Sequence, residues 1–234
     1  MGASQRLCLA LLLVLCPAFV GALAVADIEA EPETLKLLGR SRVEGYQVAL
    51  DEKDWSWLRQ KGTLHLGISA PDYPPFDLTT NSRDYEGLTA DYAGLLAQLL
   101  HVQVFIRRYD SRAELIRALK DGEVDLLGTA NGFEEIDPGI VLSTAYTDDQ
   151  PMLVTRSDDR TPLVPDLSGK KIAMLYHYRP SQSVSKFYPD AELQLYPSTL
   201  SAIGAVAFGK ADVYLGDAIS ANYLISMNYL TTCN

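Results

Sequence analysis

From Thr63 to Asn228 the sequence switches repeatedly between two hydrophobic periods. Short apolar runs, "TLHLGIS" (63–69), "VQVFIRR" (102–108) and "VDLLGT" (124–129), read as strands. Between them lie segments at helical spacing. "LTADYAGLLAQLL" (88–100) gathers Leu95, Leu96, Leu99 and Leu100, and "SRAELIRALKDG" (111–122) opens on a capping box, Ser111 to Glu114, and stops at a glycine. Strand, helix, strand, helix, strand at this spacing predicts a right-handed parallel βαβαβ unit. A second set follows: strand "KKIAML" (170–175), a helix after Arg179, strand "AELQLY" (191–196), helix "STLSAIGAVAFGK" (198–210), strand "ADVYLG" (211–216) and helix "DAISANYLISMN" (217–228). "QPMLVTRSDD" (150–159) reads as a strand passing from one set to the other. The expected class is α/β, with two lobes joined by an extended crossover and a cleft where the strand ends face each other.

The flanks read differently. Residues 1–26 carry one positive residue, Arg6, then an apolar run from Leu7 to Val25 that ends in Ala24-Val25-Ala26. This is the pattern of an export signal, with an uncleaved anchor as the alternative. Residues 27–61 read as a connector containing one short helix, "DEKDWSWLRQKG" (51–62), with Trp55 and Leu58 on one face and Gly62 as its stop. The expected organisation is then lobe 1 over 62–149, a hinge crossover over 150–160 and lobe 2 over 161–234. Of three cysteines, Cys8 and Cys16 fall in the signal, so only Cys233 remains and stability must come from a core. A disulfide-free, exported, acidic chain points to the bacterial periplasm.

Charge and motif content exclude several functions. The formal charge of −10, with no basic stripe, argues against nucleic acid. His65, His101 and His177 lack metal-ligand spacing, and no carboxylate cluster joins them. A nucleophile elbow, a Walker loop and a dinucleotide fingerprint are absent, so neither a catalytic residue nor a cofactor is expected.

The first strand runs straight into "APDYPPFDL" (70–78). Two adjacent prolines fix φ and hold the residues before them extended. Asp72, Tyr73 and Phe76 are thereby presented at the carboxyl end of a strand, where open α/β sheets bind ligands. The plainer alternative is a strand-to-loop corner with its aromatics tucked into the core.

In order along the chain, "LHLGISAPDYPPFDL", "YEGLTADYAGLLAQLL", "LIRALKDGEVDLLGTANG", "SGKKIAMLYH" and "STLSAIGAVAFGKADVYLGDAISANYLI" resemble type II periplasmic solute-binding domains, the Venus-flytrap modules. In detail the chain is most similar to the sensor regions of hybrid sensor histidine kinases of the Bvg/Evg type. The resemblance implies that Tyr73 and Phe76 wall the ligand cleft, with Asp72 facing it or bracing the loop. It implies that Gly128, Thr129 and Asn131 offer donors to a ligand carboxylate. The arginine that amino-acid binders place a few residues on aligns with Glu135 here, which would repel that carboxylate. Arg179, in the matching loop of the second lobe, is the expected substitute, beside the bulky Tyr176, His177 and Tyr178 that narrow the cleft. Asp217 aligns with the acid that receives a ligand amino group and is also a preferred N-cap; one oxygen can cap while the other faces the cleft.

The implied function is a periplasmic small-molecule-sensing domain of a two-component hybrid sensor histidine kinase, signalling by ligand-dependent lobe closure. The alternatives are a free solute-binding protein of an ABC importer and, remotely, a dehydratase-like enzyme on the same fold. The implied ligand is a small polar metabolite, anionic ones included, and the implied membrane is the inner membrane, through sequence beyond Asn234. Sensors of this kind tend to be homodimers. In this fold the chain returns to lobe 1 after lobe 2, and the sequence stops where that return is expected, which suggests truncation.

Overall fold

The computed structural model describes residues 31–133, 138–148, 150–229 and 232–233. The export signal expected over 1–26 and the site position Glu135 lie outside them.

The first sheet begins earlier than its sequence pattern. Glu33–Leu37 forms β1, inside the stretch expected to be a connector. It lies antiparallel to Gln103–Tyr109 (β5), with Leu35 opposite Ile106, and parallel to Asp84–Glu86 (β4). Its five residues have Leu35 alone buried, too little periodicity to be recognised before the neighbours are known. Helix α1 (Glu52–Lys61) follows as expected, with Asp51 accepting from the Asp54 N–H at one end and Gly62 in the left-handed region at the other.

Thr63–Ser69 (β2) runs parallel to β5 on one side and to Leu126–Leu127 (β6) on the other. With the hairpin of Leu78–Thr80 (β3) and β4, the strand order is β3-β4-β1-β5-β2-β6. Helices α2 (Leu88–Leu100) and α3 (Arg112–Lys120) are the crossovers of the predicted βαβαβ unit. The buried side of α2 is Thr89, Ala90 and Ala93 rather than its leucines; Leu95, Leu99 and Leu100 are half-buried and Leu96 is exposed. Small residues are needed there because the connector backbone passes close by. A Cβ on Gly39 would lie 2.7 Å from the Ala90 carbonyl oxygen.

In the second sheet Lys171–Leu175 (β8) is parallel to Glu192–Tyr196 (β9) and to Val213–Asp217 (β10), and Pro151–Val154 (β7) closes one edge antiparallel to β10. The connecting helices are α4 (Ser181–Phe187) and α5 (Thr199–Ala207), and α6 (Ala218–Leu224) continues into a π-helical turn, Ile225–Tyr229. Helix α5 is apolar nearly all round, and Ala202, Ile203, Ala205 and Val206 are buried with Ala173, Tyr214 and Leu224. The architecture is the type II periplasmic-binding-protein fold, with one parallel α/β unit per lobe.

Candidate functional site

The carboxyl ends of the parallel strands of both sheets converge on one cavity of about 770 Å³. Beta strand ends supply its wall in turn: Pro71, Tyr73 and Phe76 after β2, Arg112 after β5, Gly128 to Asn131 after β6, His177 and Tyr178 after β8, and Asp217 at the end of β10. Of the residues named from the sequence, Tyr73, Phe76, Gly128, Thr129, Asn131, Tyr178 and Asp217 therefore lie together.

Two do not. Asp72 turns away from the cavity and braces the loop, accepting from Thr79 N–H at 2.6 Å, Thr79 Oγ1 at 3.1 Å and Arg108 Nη2 at 3.3 Å. The hairpin strand and β5 offer that carboxylate three donors at once, and the cavity side offers it none of them. Arg179 does not line the cavity either. Its guanidinium carbon sits 5.4 Å from the Phe133 ring centroid and 5.2 Å from that of Tyr178, so it ties the lobes together by cation–π contact.

The loop after β6 uses its donors internally. Gly128 N–H donates to Gly67 O at 2.9 Å, extending the sheet, and the Thr129 hydroxyl donates to Asp77. Asn131 accepts from Phe133 N–H through Oδ1 at 2.9 Å and donates through Nδ2 to Tyr178 O at 3.4 Å. Asp217 divides its oxygens. Oδ1 caps α6 by accepting from Ser220 N–H at 2.7 Å, and Oδ2 accepts from the Tyr73 hydroxyl across the cleft.

Asp77, Arg112 and Tyr146 also line the wall, beside His177, which was expected there. Asp77 is buried and accepts from the Tyr85 hydroxyl at 2.5 Å and from Thr129. Burial raises its carboxyl above 3.8 against the opposing pull of those hydrogen bonds and of Arg112. Arg112 donates through Nη2 to Thr129 O at 2.5 Å. Its place just past β5, directly after the Ser111 cap, was the signal that could have found it, since that end of a parallel sheet is where sites gather. Tyr146 is ring to ring with Tyr92, at 4.6 Å, and sits 3.2 Å from Thr89 Oγ1; nothing in the spacing around it marks it.

Burial, aided by the Arg112 charge, pushes the His177 imidazole down from 6.5 to about 4. The unfolded chain therefore binds a proton between those values that the fold does not. Stability falls as pH drops from 6.5 to 4, by at most about 3 kcal/mol from this residue. Thermal melts across that window should show a shallower slope for His177→Gln than for the wild type. Equal slopes would mean that His177 is not held neutral.

Two α/β lobes whose strand ends face one another across a solute-sized cavity define a two-lobe solute-binding domain. The chain belongs to the bacterial extracellular solute-binding proteins, family 3, which match it over residues 65–222. It is 42% identical over 207 residues to the virulence sensor protein BvgS of Bordetella parapertussis, covering 88% of this chain and 17% of that protein. It is 23% identical over 222 residues to the sensor protein EvgS of Escherichia coli O157:H7, covering 94% of this chain and 18% of that one. The crystal structure of the B. pertussis BvgS periplasmic domain superposes with a TM-score of 0.75 at 40% identity, over 86% of this chain and 39% of that one. The B. pertussis BvgS VFT2 domain shares the fold, with a TM-score of 0.70 at 24% identity over 80% of this chain and 79% of that one. The chain is thus homologous to the periplasmic sensor regions of these kinases and spans less than a fifth of the curated relatives' length.

Proposed function

We propose that this chain is the periplasmic ligand-sensing part of a membrane-anchored hybrid sensor histidine kinase, and that it signals through the separation of its two lobes. The observation that carries this reading is the cavity itself. It is built from strand ends of both lobes, so a solute that bridges it and binds one arrangement of the lobes better than the other shifts their separation. Its volume falls within the range of small-molecule sites. Arg112 lines the wall and donates to Thr129 O, and Asp77 and Asp217 accept from protein hydroxyls. That lining supports a small polar solute, anionic ones included.

The reading requires a product much larger than this chain. An antibody raised against the first lobe, applied to fractionated cells on a denaturing gel, should detect a membrane-bound band far above 25.7 kDa. A soluble periplasmic band slightly below that mass would instead mean a free solute-binding component of an importer.

A further inference from the structure

The contacts that tie the lobes together are made by the protein's own side chains, and they use the groups that a cationic solute would need. Tyr73 stands on a loop pinned by its own backbone, with Tyr73 N–H donating to Asp77 O and Asp77 N–H to Tyr73 O, each at 3.0 Å. Its ring stacks on Phe76 of the same loop at 5.4 Å and packs against the second-lobe cluster of Leu167, Tyr178 and Leu215. Its hydroxyl reaches Asp217 Oδ2. Beside it, Ser220 Oγ donates to Pro74 O at 2.5 Å, so one loop of the first lobe is held at two points by the start of α6.

Asp217 is only 6% exposed, and its two oxygens accept from Tyr73 and from the Ser220 N–H. Asp77, the other buried carboxylate of the wall, accepts from Tyr85 and Thr129. A ligand ammonium entering the cavity must be paired there, because a desolvated charge without a partner is strongly unfavourable. To reach Asp217 it must displace Tyr73. Displacing Tyr73 breaks a contact that holds the lobes together.

We propose that Tyr73 is a built-in latch and the specificity-determining residue of the cleft: its phenol closes the lobes on Asp217 without any solute and excludes amines and amino acids from that carboxylate. The exclusion clause rests on reading the cleft as a solute site; the latch does not. A solute moves the lobes only through its differential affinity for the two arrangements, so an amine that cannot reach Asp217 leaves the population where it is.

The test uses the full chain with Cys8, Cys16 and Cys233 changed to alanine and spin labels on Ala113→Cys in α3 and Lys186→Cys in α4, both exposed. Pulsed electron resonance should give one short interlobe distance in the absence of solute, unchanged by millimolar L-arginine. Tyr73→Phe keeps the ring but removes the donor and should shift the distribution to longer distances, which L-arginine then shortens. Ser220→Ala, which leaves the helix cap intact, should lengthen it in the same direction. A wild-type distribution that is already broad, or one that Tyr73→Phe leaves unchanged, overturns the latch. Binding of L-arginine by the wild type overturns the exclusion. Opening of Tyr73→Phe with no response to arginine upholds the latch and counts against the solute-site reading instead.

Discussion

Gly87→Ala should cost about 3 kcal/mol of folding stability and loosen the loop that carries Tyr73 and Phe76. Gly87 has φ 110°, a backbone region that L side chains rarely adopt. An added Cβ would stand 2.3 Å from Phe76 O and 2.8 Å from Pro75 O. Neither carbonyl can move freely. Pro75 O accepts the Leu88 N–H at 3.0 Å and Phe76 O accepts the Thr89 N–H at 3.1 Å. These two bonds satisfy the start of α2, whose N-cap glycine has no side chain to do so. One position thus serves both helix and loop, and the substitution strains them together. Urea unfolding of the purified chain measures the loss; a variant within about 1 kcal/mol of the wild type would show that the loop has room to give.

Asp77→Ala should cost about 3 kcal/mol or more, and Asp77→Asn should behave differently with pH. The alanine removes the acceptor of the Tyr85 and Thr129 hydroxyls and leaves both without it in a site where Tyr85 is fully buried. Each stranded donor costs about 1–3 kcal/mol. The asparagine keeps an acceptor and removes the charge. Burial holds the folded Asp77 carboxyl above its ordinary 3.8, so the group favours the fold while protonated and loses that contribution as pH rises through its folded value. Below 3.8 the two proteins should therefore be close in stability; above it the wild type should fall relative to Asp77→Asn. Melting curves from acid to neutral pH decide the matter. A wild type that gains on the asparagine variant as pH rises would mean that the hydrogen bonds outweigh burial.

Both residues sit where sequence and structure part company. Asp77 is in the proline-rich stretch that first pointed to the cleft, four residues beyond Tyr73, yet in sequence it is one more acid beside an aromatic. What makes it the floor of the site is that β4, α2 and the loop after β6 each bring it a hydroxyl-bearing side chain, Tyr85, Thr89 and Thr129. Asp72 is the opposite case. The same loop displays it, and the neighbouring strands claim it for the scaffold through Thr79 and Arg108. Arg179 reads as a ligand clamp by position and becomes a stacking partner because Phe133 of the other lobe covers its guanidinium.

By itself the sequence determined the α/β class, the parallel units and most helix bounds. Those follow from periodicity, from the Ser111 cap and from the glycine stop at Gly62, all of which act within a few residues of each other. It also determined that Asp217 would cap a helix. Only the tertiary structure decided that β1 joins the first sheet, because a strand with one buried residue is defined by its partners. Only the tertiary structure decided what the second oxygen of Asp217 meets. Tyr73 lies 144 residues away, and a hydrogen bond between such positions has no local signature; it exists because the two sheets turn the same ends toward each other.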